Sequence, residues 1–143
     1  MTVKSILEKK GRDVISAMPN ATLSEVIAML ARHRIGALVI CDEAHAILGI
    51  LSERDVVRML SAQGQKALDM PVSEVMTKKV ETCQEKHTVN QVMEIMTQKR
   101  FRHMPVERDG KLEGIISIGD VVKARIEQVE READEIRNYI ASA

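Results

Sequence analysis

The chain has 143 residues, with 21 Lys+Arg against 21 Asp+Glu and a formal net charge of zero. Apolar types make up 45% and charged types 29%, the composition of a soluble globular protein that can bury a core without disulfide or metal staples. No run of about 18 apolar residues offers a membrane span, the neutral balance argues against an electrostatic nucleic-acid binder, and an aromatic content of 1% leaves almost nothing for a base-stacking platform.

The opening stretch, MTVKSILEKKGRD, has no apolar core before a small-residue cleavage site, so no secretory leader is expected. Cys41 and Cys83 show no C-x-x-C spacing, which fits a reducing, cytoplasmic setting. A short strand is expected around Val14–Ile15. TLSEVIAMLARHR then begins with Thr22 and Glu25, a capping box, and places Val26, Ile27 and Leu30 on one helical face. ALVIC and AILGIL, separated by the turn DEAH, read as a hairpin, and Ser52-x-x-Asp55 starts another helix that ends near Gln63-Gly64-Gln65.

The same order then returns. VSEVM from Val72 resembles VKSIL from Val3, and a strand is expected at Val80–Thr82. Thr88 follows Thr22 by 66 residues, with Gln91 completing its capping box. MPV and KLEGII form a second hairpin around RDGK, whose Asp-Gly is a tight-turn signal. Gly114, Ile115, Ser117 and Asp120 follow Gly49, Ile50, Ser52 and Asp55 by 65. One β-α-β-β-α unit is used twice, so the fold class is α+β. The expected division is a first domain at 1–63, a linker at 64–71, a second domain at 72–125 and a helical extension at 126–143.

Running into that extension, Val122, Ile126, Val129, Ala133, Ile136 and Ile140 are spaced 4, 3, 4, 3, 4, a heptad-like apolar seam without a Gly or Pro break. Such a helix either packs back on its own domain or meets its counterpart in a second subunit. Continuity with the preceding helix favours a projecting rod and a homodimer.

Classical catalytic patterns are missing. His33, His45, His87 and His103 stand apart, without metal-ligand spacing, and no phosphate-cradling glycine loop occurs. What recurs is G-h-h-S-x-x-D, at Gly49–Asp55 and Gly114–Asp120. Ser followed three residues later by an acid is first of all a helix cap. The same geometry also gathers a hydroxyl, free N–H groups and the positive helix end, which suits a phosphate. The carboxylate one turn on suits ribose hydroxyls.

Two in-register β-α-β-β-α units, each ending in this motif, resemble a tandem pair of CBS domains, a nucleotide-sensing regulatory module. The resemblance implies two units about a pseudo-twofold axis with two clefts, Ser52 and Ser117 contacting phosphate, and Asp55 and Asp120 contacting ribose. It places Val14, Ile15 and Ser16, with Val80 and Thr82, at the base-binding edge. It also implies homodimers. Arg54 against Gly119, and Gly36-Ala37 against Arg102-His103, mark where the repeats differ, and Gly36, Ala37, Met104 and Pro105 are further candidate nucleotide-binding positions. Three cationic or titratable groups, Arg54, Arg102 and His103, fit a ligand with more than one phosphate, and the two sites are expected to be unequal. The expected function is therefore sensing AMP, ADP or ATP, with NAD(H) and S-adenosylmethionine as further fits, and signalling to a separate effector protein. No catalytic residue, metal or obligatory cofactor is expected. A different class of reading is an assembly module whose S-x-x-D boxes only cap helices. A third, an enzyme with His103 as general base, lacks a nucleophile and an orienting partner in sequence.

Overall fold

The computed structural model describes residues 1–142. Its elements run in chain order α1 (Val3–Lys10), β1 (Ser16–Ala17), α2 (Leu23–His33), β2 (Ala37–Cys41), β3 (Ile47–Ser52), α3 (Glu53–Gln63), α4 (Val89–Lys99), β4 (His103–Arg108), β5 (Lys111–Ser117) and α5 (Ile118–Ser142). Both predicted capping boxes form: Thr22 and Thr88 each accept the N–H three residues on, from Glu25 and Gln91. Each of these helices stops at an arginine in the left-handed region, Arg34 (φ 53°) and Arg100 (φ 57°). The Asp-Gly turn behaves as its sequence demands, with Asp109 at φ 54° and Gly110 at φ 78°, the mirror-image turn that matches strand twist.

Two compact units result, and each mixes segments from both halves of the sequence. One comprises 13–82 with 107–113; the other comprises 1–12, 83–106 and 114–143. The leading segment of each repeat thus belongs to the unit built on the other repeat, and the same clamp holds it in both. In one unit the Leu23 N–H donates to the Met70 carbonyl and the Val72 N–H to Ala21. In the other the Val89 N–H donates to Met1 and the Val3 N–H to His87. The segment 64–71 is equally built in: Gly64–Asp69 form a 3-10 helix whose Ala67 is fully buried.

In the first unit β1 runs parallel to β2, with Ala17 opposite Ile40, and β2 pairs antiparallel with β3 across a bulge at Ile40/Cys41. All five residues of β2 are buried, and Leu38 and Ile40 pack with Leu23, Val26 and Leu51. In the second unit β4 and β5 pair, and Val3, Leu7, Val92, Met96, Met104 and Ile116 fill the core. The first strands fall later than expected. Val14 and Ile15 precede β1, and Val80–Thr82 form no strand; a lone parallel bridge joins Cys83 to Val106. Cys83, expected in a loop, is 1% exposed within this core. Ala17 and Cys83 carry small side chains opposite Ile40 and Val106, positions that alternation in so short a stretch leaves ambiguous.

The 25-residue α5 is continuous from the second motif to the tail, as the absence of breakers predicts. Its inner face buries Val121 and Ala124, whereas Val122, Ile126, Val129, Ile136 and Ile140 are exposed. The tail seam therefore does not fold back on its own domain. No helix among the described residues is long and apolar enough to cross a membrane.

Candidate functional site

Each S-x-x-D motif sits where an antiparallel strand ends and a helix begins. The first helical N–H is taken in both copies by a main-chain carbonyl: Glu53 donates to Gly36 (3.0 Å) and Ile118 to Arg102 (2.8 Å). The third is taken by the serine hydroxyl, with Asp55 N–H donating to Ser52 Oγ (3.3 Å) and Asp120 N–H to Ser117 Oγ (3.2 Å). Each aspartate reciprocates, accepting the serine N–H at 3.0 and 2.9 Å respectively. The second N–H, that of Arg54 or Gly119, has no protein acceptor among the described residues. It is the one donor of the three left for an acceptor outside the motif. Gly119 carries no side chain beside this N–H, whereas the first copy has the exposed Arg54 at the same position.

Close strand–segment packing behind each motif crowds its glycine. A Cβ on Gly49 would come within 2.8 Å of Met76 Cγ and 3.0 Å of the Thr77 carbonyl, and one on Gly114 within 2.8 Å of Leu7 Cδ2. Thr77 also bridges Ile50 by two main-chain bonds of 2.9 and 3.0 Å. Through this contact the exchanged segments reach the aspartates.

The two aspartates end up in different states. Asp55 is 5% exposed and both its oxygens are occupied. Arg58 donates to Oδ1 (2.7 Å), Ser52 Oγ to Oδ2 (3.1 Å), and the Thr77 hydroxyl lies 3.3 and 3.4 Å from the pair. Asp120 keeps a quarter of its side chain exposed, and Lys10 Nζ donates to its Oδ2 (2.7 Å) and to the Ile115 carbonyl (3.0 Å). Partial burial alone would raise the Asp120 carboxyl. The Lys10 hydrogen bond and charge, with the Ser117 N–H and hydroxyl, outweigh it and hold the group below the ordinary carboxylate range. The Ser117 N–H and Lys10 Nζ both donate to Oδ2, and Asp120 lines a cleft of roughly 120 Å³ bounded by Ser5, Lys9, Lys10, Lys123 and Glu127. That volume takes a phosphate or the edge of a ribose, and not a whole nucleotide.

The remaining expected residues divide between the units. Val14, Ile15, Ser16, Gly36, Val80 and Thr82 are half-buried in the first, with Ala37 buried at the start of β2 and Arg54 exposed. In the second, Arg102 is exposed, His103 opens β4 half-buried, and Met104 and Pro105 are buried in the core. Met104 and Pro105 can therefore offer a ligand only main chain, and the Pro105 carbonyl already accepts the Cys83 N–H (3.0 Å). Sequence reasoning missed Lys10, Arg58 and Thr77. Only the faint match of VKSIL to VSEVM pointed toward Lys10 and Thr77, because their contacts form through exchanged segments. No cluster of three His, Cys, Asp or Glu side chains able to hold a metal occurs among the described residues.

Comparisons with known proteins agree on the architecture. The family model of the CBS domain matches residues 3–62 and 72–127. A CBS domain-containing protein of Agrobacterium tumefaciens, ATU1752, is similar in crystal structure at 51% identity and TM-score 0.82, over 87% of this chain and 92% of that one. The mitochondrial CBS domain-containing protein CBSX3 of Arabidopsis thaliana is 31% identical over 97% of this chain and 71% of its own length. A crystal structure of the CBS domain pair of protein MJ0100, in complex with 5′-methylthioadenosine and S-adenosyl-L-methionine, matches at 27% identity and TM-score 0.78, over 90% and 98% of the two chains.

Proposed function

Because the chain belongs to the CBS-domain family and carries two copies of that domain, we propose that it is a regulatory module sensing an adenine nucleotide of the AMP, ADP or ATP class. The observation that carries this reading is the open Oδ1 of Asp120 beside the uncovered Gly119 N–H, a carboxylate for ribose and a donor for phosphate within one turn of helix. Ser117 adds a hydroxyl, and Lys10 balances the carboxylate so that an anionic ligand meets no net repulsion there. The adenosine ligands on the MJ0100 pair support an adenine base; NAD(H) and S-adenosylmethionine share that base and are the further fits. The sites are unequal. Asp55, buried and saturated, serves as a structural cap, so the assembly-only reading describes the first motif but not the second. Arg102 and His103, in the same unit as Asp120, are the nearest candidates in sequence for a ligand's further phosphates.

Signalling follows if the ligand prefers one arrangement of the protein over another; a ligand without preference regulates nothing. The exposed α5 seam supports a homodimer, and a separate effector protein reads the change. Thermal melts test the ligand reading. A binder at about a hundredfold excess over its dissociation constant gains roughly 2.7 kcal/mol. AMP, ADP, ATP, NAD(H) and S-adenosylmethionine are titrated against the parent and Asp120→Ala. A shift in the parent that Asp120→Ala removes is expected; no shift with any of them leaves the scaffold reading standing.

A further inference from the structure

We infer that α5 joins a second copy of this chain as a parallel, in-register helix pair. The inference rests on the homodimer proposed above and adds its orientation. The spacing of the seam assigns heptad positions without choice: Val122, Val129 and Ile136 fall at d, and Ile126, Ala133 and Ile140 at a. Five of these six are exposed large apolar residues, between 44% and 68%. From Val122 to Ser142 the helix runs three heptads, about 30 Å.

Charge decides how a second copy lies on it. The e positions beside the seam are Lys123, Glu130 and Arg137, and the g positions are Arg125, Glu132 and Tyr139. A parallel pair sets each g residue against the e residue five further on in the partner helix. Arg125 then meets Glu130 of the partner subunit, and Glu132 meets Arg137 of the partner subunit, each contact occurring twice. A fully overlapped antiparallel pair matches e with e and g with g. It sets Lys123 against the partner's Arg137, Glu130 against the partner's Glu130 and Glu132 against the partner's Glu132, all like charges. Sliding that antiparallel pair by one heptad relieves the clashes but leaves Ile136 and Ile140 unpaired. Only the parallel arrangement keeps all six seam positions and opposite charges together. In the single chain Arg137 rests 3.3 Å from Asp134, an exposed pair that yields at little cost. A parallel pair also brings both Ser117–Asp120 motifs, which lie at the start of α5, to the same end of the assembly.

The test combines sedimentation of the full-length chain with cysteine cross-linking. The parent should sediment as a dimer, and Ile136→Cys should form a covalent dimer on mild oxidation, since Cys41 and Cys83 are buried and do not compete. Glu132→Arg should weaken association about fivefold to tenfold, and adding Arg137→Glu should restore it to within about twofold. A monomer overturns the homodimer reading and this one with it. A dimer in which Ile136→Cys stays uncoupled, while mixed Ile126→Cys and Ile136→Cys chains couple, overturns the orientation alone. A trimer, which β-branched residues at both seam positions also accommodate, overturns the two-stranded pairing.

Discussion

Lys10 Nζ lies 2.7 Å from Asp120 Oδ2 and 3.0 Å from the Ile115 carbonyl, so a lysine at the end of α1 closes on the carboxylate of the second motif. The first motif has a threonine in the matching role, with the Thr77 hydroxyl 3.3 Å from Asp55. Both contacts come from segments that, in sequence, lead the opposite repeat. One is a charged, partly exposed pair that a ligand can rearrange; the other belongs to a saturated, buried cap.

The Asp120 carboxyl is held below its ordinary 3.8. The folded protein thus binds that proton less readily than the unfolded chain. The stabilisation is present above 3.8 and disappears as pH falls through the folded value. The parent should be more stable than Asp120→Asn at pH 7 by no more than about 1 kcal/mol, since the pair is partly exposed. Melting curves from pH 7 to 3 should show the gap closing below about pH 4. A gap independent of pH is the contrary result.

Asp55→Ala removes the acceptor of Arg58, of the Thr77 hydroxyl and of the Ser52 N–H. It should cost about 1–3 kcal/mol of stability without ligand, more than Asp120→Ala costs. Nucleotide-induced stabilisation should survive in Asp55→Ala and vanish in Asp120→Ala. Calorimetry on both variants, showing equal losses of affinity, would contradict the assignment.

Gly49→Ala should destabilise the protein by about 1–3 kcal/mol, because its Cβ meets the Thr77 main chain as well as Met76. Gly114→Ala meets only the terminal atoms of Leu7, a side chain that can turn aside, and should cost less. Urea denaturation gives both values, and the reverse order would speak against the packing described.

Truncation after Arg125 removes most of the exposed seam and should leave a monomer by light scattering. Retention of the dimer mass would place the main contact elsewhere.

Burial first, and then the neighbouring Asp42, pushes the Cys41 thiol up. Cys83 is 1% exposed. A thiol reagent at neutral pH should label neither in the native protein and both after unfolding. Rapid native labelling would mean that one of the cores opens readily.

Much of the fold is legible residue by residue because it rests on local chemistry. Thr22 and Thr88 announce their helices through caps, Asp109-Gly110 announces its turn, and the run from Asp120 without Gly or Pro announces a long helix. The short first strands lie later than alternation suggests because two residues define no face; pairing of Ala17 with Ile40 and of Cys83 with Val106 places them.

By itself the sequence determined the doubled unit, the two S-x-x-D motifs and the heptad seam, all of which follow from spacing along a few turns. Tertiary structure alone decided that α1 and the segment at 72–77 change places between the compact units. With that exchange came Lys10 on Asp120 and Thr77 on Asp55, which joins Arg58 of Asp55's own helix in sealing that carboxylate. The physical reason is separation: these partners lie 110 and 22 residues apart, where no helical or strand period reaches. Near-identical motifs therefore acquire unequal chemistry from neighbours that their own sequence does not contain.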